Sequence, residues 1–448
     1  MKIIIAGAGE VGSHLAKMLG NENNDITMVD ISEARLNKLD EIADVVTVVG
    51  SPTSIATLKQ AGVKNADLFI AVSPAQEQDV NLTSALLAKN LGAKKVTARI
   101  NNDEYLKSEN KLLFTEMGID LLFYPEKIAS IEIIDLLKLS GTSEFMEFGR
   151  GLLQLVAFRL EEDAPLINRR VSDLSLDGKL EFKTVAISRN FSTIIPDAST
   201  KFLHNDLVFA VCTKDVVKDV MNLSGKNSID IKRLMIVGGG KIGKLLAAKL
   251  QYSVEQIKII EQDKEKCEDI AQSIEKALVI NGDGRNTDLL LEEDVKNIDA
   301  FVAVTNSSET NILSCVAAKK MGVSKTIAEV ENFEYIKLAE GMGVDAVINK
   351  KLITAGRIFR FTLSNKVRSI KCLNGTDAEV LELVVNPSSS IAEMTLSEIK
   401  FPRESIIGGI IRGNESFIPT DDTVIKAYDR VVVFALPHTL PKVNKLFI

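Results

Sequence analysis

Histidine and cysteine are scarce in this 448-residue sequence, with three and four copies. Cys212, Cys267, Cys315 and Cys372 are widely separated, form no CxxC pair and read as free thiols, packed or partly exposed. His14, His204 and His438 fall outside any HxxxH spacing, and Cys315 sits in a helical pattern with no histidine base indicated nearby. The expectation is therefore no metal site and no catalytic residue. Apolar runs of eighteen or more residues are also missing, so the sequence predicts no bilayer-spanning helix. Long basic runs are absent and the formal charge is -7, which argues against nucleic acid as a partner. The opening Met1 to Gly7 runs straight into a glycine turn without a cleavage site, so a cytoplasmic protein is expected.

What the sequence has is a nucleotide-binding fingerprint, and it has it twice. Gly7-Ala8-Gly9-Glu10-Val11-Gly12 recurs 231 residues later as Gly238-Gly239-Gly240-Lys241-Ile242-Gly243. Each copy follows an apolar strand and opens a helical pattern, the context in which GxGxxG binds a dinucleotide. In each copy the first glycine permits a tight turn, the second lets phosphate approach the backbone, and the third lets the helix pack against the sheet. Amides at the helix start then stabilise phosphate charge.

The repeat extends well beyond the fingerprints. Strand-like segments at Lys2 to Ala6, Ile26 to Val29, Val45 to Val49, Leu68 to Val72 and Lys95 to Ile100 alternate with helical segments, specifying parallel βαβ units. Leu234 to Val237, Ile257 to Ile260, Leu278 to Ile280 and Asp299 to Val304 restate that order. Asn81-Leu82 matches Asn311-Ile312, and Met117-Gly118-Ile119-Asp120 matches Met342-Gly343-Val344-Asp345. Between the two units, Leu153 to Leu160, Thr184 to Ser188 and Leu207 to Cys212 read as short strands broken by Pro165, Asn190 and Pro196. Phe191 to Pro196 followed by Asp206 to Ala210 resembles Glu415 to Pro419 followed by Asp429 to Phe434. The arrangement is thus A-B-A-B. Helical patterns at Glu126 to Leu139 (Ile128, Ile131, Ile134, Leu137, Leu139) and Lys351 to Leu363 (Leu352, Ile353, Ile358, Phe359) join A to B. Each has two open readings, completion of its own core or packing against another domain or subunit.

Asp30 and Glu261 end the second strand of each unit, where a carboxylate accepts hydrogen bonds from ribose hydroxyls and disfavours an added 2′-phosphate. Ser73 and Thr305 follow matching strands, with hydroxyls directed at the same crevice. Arg99 ends another strand, with phosphate or a neighbouring acid as its alternatives, while Glu329 holds the corresponding position and argues against equivalent sites. Ser51 and its counterpart Asp283 lie in small turns that both suit adenine approach, with a cation or the neighbouring backbone as alternative partners of Asp283.

These residues, the tandem fingerprints and the intervening β-rich modules give the chain a full-length resemblance to the TrkA family, peripheral NAD-binding regulators of bacterial and archaeal Trk potassium-uptake systems. The resemblance implies an α/β protein with two Rossmann-like RCK N-terminal domains, each followed by a small α+β TrkA-C domain. It divides the chain into a first RCK (KTN) domain at 1–125, a crossover helix and linker at 126–140, and a TrkA-C domain at 141–225. The second set is 232–350, 351–368 and 369–448. By the same resemblance, Gly7, Ala8, Gly9, Glu10, Val11, Asp30, Ser73, Pro74 and Arg99 are first-site residues. Gly238, Gly239, Gly240, Lys241, Ile242, Glu261, Thr305 and Asn306 belong to the second. It further implies NAD(H), with ADP and ATP as other candidates, a homo-oligomeric gating ring of dimer or tetramer type, and a TrkH/TrkG-type potassium-translocating partner at the inner membrane face. An NAD-dependent oxidoreductase is the alternative, and it requires substrate-positioning groups beside the nicotinamide.

Overall fold

The structure, a computed structural model, describes residues 1–20, 24–40, 43–138, 142–176, 182–190, 192–225, 230–362, 367–372, 376 and 378–447. Leu139, Phe191 and Leu363 lie outside the described residues, as do the side chains of Phe359 and Cys372.

The first half runs β1 (Lys2–Ala6), α1 (Glu10–Gly20), β2 (Asp25–Asp30), α2 (Glu33–Asp40), β3 (Val46–Val49), α3 (Ile55–Gln60), β4 (Leu68–Ala71), α4 (Gln78–Asn90), β5 (Lys95–Arg99), α5 (Ser108–Glu116), β6 (Leu121–Phe123) and α6 (Pro125–Lys138). Its six strands are parallel in the order β3-β2-β1-β4-β5-β6. Ile3, Ile4 and Ile5 are all fully buried, because helices cover both faces and a central parallel strand is apolar throughout rather than alternating. Helix α1 closes one face with Val11, Leu15 and Leu19 at four-residue spacing. Strand order reverses between β1 and β4, which opens a crevice at the carboxyl ends of those strands.

A small antiparallel domain follows, made of β7 (Glu144–Phe148), β8 (Leu153–Arg159), α7 (Val171–Leu176), β9 (Phe182–Arg189), β10 (Ser192–Ile194), β11 (Leu207–Thr213) and α8 (Val217–Asn222), with sheet order β10-β9-β11-β8-β7. The second half then repeats the architecture: β12 (Arg233–Val237), α9 (Lys241–Leu250), β13 (Gln256–Glu261), α10 (Lys264–Ser273), β14 (Ala277–Asn281), α11 (Thr287–Glu292), β15 (Ala300–Ala303), α12 (Ser308–Lys320), β16 (Lys325–Glu329), α13 (Phe333–Gly341), β17 (Ala346–Ile348) and α14 (Lys350–Thr362). The order β14-β13-β12-β15-β16-β17 matches the first parallel sheet strand for strand. The chain closes with β18 (Val367–Cys372), β19 (Glu379–Val384), β20 (Ser405–Arg412), β21 (Glu415–Phe417), β22 (Arg430–Ala435) and α15 (Leu440–Leu446), again with the topology of its first-half counterpart. Among the described residues no helix is long and apolar enough to cross a membrane.

An ion pair confirms the kinship of the two small domains. Arg189 donates to both carboxylate oxygens of buried Asp206 at 2.8 and 2.7 Å, and Arg412 does the same to Asp429 at 2.8 and 2.6 Å. The two sheets share one core, in which Leu153, Leu155, Phe209 and Val211 pack with Val380, Ile411, Val432 and Phe434. Close approach is made possible at Gly409, where a β-carbon would stand 2.6 Å from Leu153 Cδ1.

Contacts divide the chain into two compact units, Met1–Ala129 with Lys350–Thr362, and Ser130–Asn349 with Leu363–Ile448. Helix α14, which follows the second parallel sheet, therefore belongs with the first, where it packs against α1. That settles its open reading in favour of interdomain packing. In α6 the buried face runs through Ala129, Ser130, Ile133, Ile134, Leu136 and Leu137. Ile131, expected on the apolar stripe, is 49% exposed, because the face is centred two positions further along the helix.

Within the second unit a polar cavity of about 400 Å³ is lined by Arg159, Glu161, Lys319, Lys325, Glu340 and Asp345, among others. Burial, opposed by Arg159 and reinforced by Glu144, pushes the Glu340 carboxyl up to about 7. Its folded-state proton is thus held more tightly than in the unfolded chain. The associated stability is complete below the ordinary carboxylate range and lost as pH rises through 7. Glu340→Gln is expected to stabilise the protein at pH 8 by up to about 3 kcal/mol, with the gain vanishing by pH 4 to 5. Urea unfolding across that range measures the difference, and a pH-independent effect would contradict the assignment.

Candidate functional sites

The two glycine turns are built alike. Asp30, buried at the end of β2, accepts the Ala8 amide on Oδ2 at 2.6 Å and the Ser32 amide on Oδ1 at 2.8 Å. Glu261 accepts the Gly239 amide on Oε2 at 2.7 Å and the Asp263 amide on Oε1 at 3.0 Å. The longer side chain thus does the same work, and the strand-end acid is a clamp on the glycine loop as well as a group facing the crevice. Each oxygen keeps a second lone pair that can accept from a ribose hydroxyl.

Sterics separate the glycines by role. Gly7 has φ +112°, and a β-carbon there would lie 2.7 Å from the Ser73 amide nitrogen. A β-carbon on Gly12 would stand 1.9 Å from the Gly7 carbonyl oxygen, and one on Gly243 would stand 2.0 Å from that of Gly238. On Gly9 or Gly240, by contrast, it would meet no protein atom within 4 Å. The middle glycines therefore border open space at a helix N-terminus, where amides and the helix dipole favour an anion. Glu10 and Val11, and Lys241 and Ile242, form the first turns of α1 and α9.

The loops after β4 and β15 are held by asparagines that sequence reasoning matched as repeats without giving them a role. Asn81 accepts the Ser73 amide at 2.8 Å and donates to the Ser73 carbonyl at 3.2 Å. Asn311 accepts the Thr305 amide and hydroxyl at 2.9 and 2.7 Å, and donates to the carbonyls of Thr305 and Glu329 at 3.0 and 2.8 Å. Their recurrence after matching strands was the available signal. Pro74 follows Ser73 directly and leads into α4 through a short 3-10 turn.

A cavity of about 430 Å³ gathers most of the second set: Gly238, Gly240, Glu261, Asp283, Thr305 and Asn306 all line it. Gly239, Lys241, Ile242 and Gly243 lie outside its lining, in the same turn and helix start. Asp283 is taken up by Arg285, which donates to it from Nε and from a terminal guanidinium nitrogen at 2.7 Å. Asp283 also accepts the Arg285 backbone amide at 2.9 Å, so both of its alternatives, a cationic neighbour and the adjacent backbone, are present, and the Arg285 side chain foremost lowers its carboxyl to about 2. In the first half, Ser51 hydrogen-bonds the Thr53 hydroxyl at 2.8 Å in the turn after β3. Arg99 forms an ion pair with Glu126 at 3.2 Å, both side chains nearly buried, so of its two alternatives the structure shows the neighbouring acid. Glu329 is buried at the matching strand end.

A TrkA-N domain model matches residues 3–125 and 234–350, and a TrkA-C domain model matches 155–225 and 380–448. The chain belongs to the TrkA family. Trk system potassium uptake protein TrkA homolog 1 of Methanosarcina mazei is 30% identical, with all of both chains covered. The Trk system potassium uptake protein TrkA of Halomonas elongata is 32% identical over all of this chain and 98% of its own. Among solved structures, the RCK domain of GsuK covers 100% of this chain and 94% of its own at TM-score 0.62 and 17% identity, a likeness of fold. The GsuK channel bound to NAD aligns with the same TM-score and identity, covering 100% of this chain and 78% of its own.

The sterics give a direct test of the glycine roles. Gly12→Ala and Gly243→Ala are each expected to cost about 3 kcal/mol or more by overpacking, whereas Gly9→Ala and Gly240→Ala change stability by less than about 1 kcal/mol. Urea unfolding of the four variants checks this, and equal losses for all four would refute it.

Proposed function

We propose that this protein is a nucleotide-responsive regulatory subunit of a potassium-uptake system, acting in the cytoplasm as a homo-oligomeric ring docked on a TrkH/TrkG-type membrane protein. The observation that carries the reading is the tandem pair of preformed phosphate loops in a chain that matches TrkA relatives from end to end. The acidic strand ends favour NAD(H), and the same helix N-termini suit ADP and ATP. Nucleotide binding, not turnover, is the proposed event.

A ligand shifts a gate only by binding one conformation better than the other. A tenfold preference contributes about 1.4 kcal/mol per site, and a ring multiplies the number of sites. Helix α1 is suited to transmit such a bias. Its first turn borders the open phosphate space, and its body carries α14, which leads directly toward the second small domain.

Potassium flux through the reconstituted membrane partner, with this protein and each of NAD+, NADH, ADP and ATP, tests the reading. Flux is expected to change with nucleotide. Asp30→Ala, which frees the Ala8 amide from its clamp, is expected to raise the half-effective concentration at the first site about tenfold. Flux indifferent to saturating nucleotide would contradict the proposal, and nucleotide-dependent substrate reduction would favour an oxidoreductase.

A further inference from the structure

Helix α14 brings a cation to the first phosphate loop. Lys351, its second residue, places Nζ 2.7 Å from Glu10 Oε2, and Glu10 is the first residue of α1. The lysine side chain is 12% exposed and that of Glu10 is 69% exposed, so the ammonium is held in place while the carboxylate is free to swing away. Glu10 directly follows Gly9, whose flank is open to at least 4 Å, so the lysine is held one residue from that open space. Burial foremost, then Lys17, and Lys351 least of the three, lower His14, four residues along α1 from Glu10, to about 4. An acid at this N-terminus gains from the helix dipole but opposes the arrival of phosphate, and the lysine offsets that opposition.

The second half reverses these charges. Lys241 occupies the position of Glu10, directly after the middle glycine of its motif. Glu126 stands three residues beyond the last residue of β6, as Lys351 does beyond β17. The second phosphate loop thus has a cation on its own helix, while the first, with an acid there, obtains its cation from α14.

We propose that Lys351 is a phosphate-contacting residue of the first nucleotide site, exchanging Glu10 for a terminal phosphate oxygen of a nucleoside di- or triphosphate. This rests on the nucleotide-binding reading above and adds a preference. A dinucleotide has only an internal pyrophosphate, with one charge per phosphate, so it gains less from the lysine than ADP or ATP does. Occupancy of the first site then bears directly on the helix that follows the second nucleotide-binding fold.

The test is calorimetric binding to the full-length chain in a Gly240→Val background, whose β-carbon enters the open space of the second loop with no protein atom within 4 Å. There Lys351→Gln is expected to weaken ATP about tenfold and NAD+ less than about threefold, the scale of one charge-assisted hydrogen bond. Lys351→Arg should restore most of the ATP affinity, and Glu10→Gln should raise it. Unchanged ATP affinity in Lys351→Gln, with binding still abolished by Gly9→Val, would overturn this inference and leave the nucleotide reading standing. Equal losses for ATP and NAD+ that arginine does not rescue would show a structural role and overturn it too. Absence of nucleotide binding to the first site of the parent would overturn both readings.

Discussion

At the carboxyl end of the second strand of each parallel sheet, a carboxylate accepts an amide hydrogen bond from the glycine loop beside it, Asp30 from Ala8 and Glu261 from Gly239. This bond fixes the turn before any ligand arrives. The turn directs the first amides of α1 and α9 toward open space, and the third glycine seats each helix against the carbonyl of the first. A charged acceptor makes such a bond stronger than a neutral one, so the loop is held in its binding shape at little conformational cost on ligation. Everything else about the sites, including the asparagine braces behind Ser73 and Thr305, supports that preformed loop.

The two halves keep this constraint and differ around it. Strand order, clamp, brace and small-domain ion pair are all duplicated. The charges at the rim are not: Glu10 against Lys241, Glu126 against Lys351, Arg99 against Glu329. Backbone geometry therefore suits both halves to phosphate, while the rims of the two proposed sites carry different charges. One helix of the second half, α14, is moreover packed on the first.

Much of this was legible in the sequence. The glycine motifs, the apolar strands and their order read directly, because a parallel sheet buried on both faces demands continuous Val and Ile runs separated by helices. Short strands such as β6 and β17, three residues each, carry too little pattern to stand out. The destination of α14 was not readable, since an apolar stripe states that a helix is buried and not against what. The same limit hid the pairings of Arg99 with Glu126 and of Glu10 with Lys351, whose partners lie far apart in the chain and meet only through the fold. The shared core of the two small domains was equally invisible, because each sheet alone reads as an ordinary half-buried one.

The central claim is that one chain holds two preformed and unequal nucleotide sites. Native mass spectrometry of the full-length protein, titrated with NAD(H) and with ATP, counts bound nucleotides per chain directly. Two per chain, filling at distinct concentrations and returned unaltered, is the predicted result. A single site per chain, or none, would contradict it.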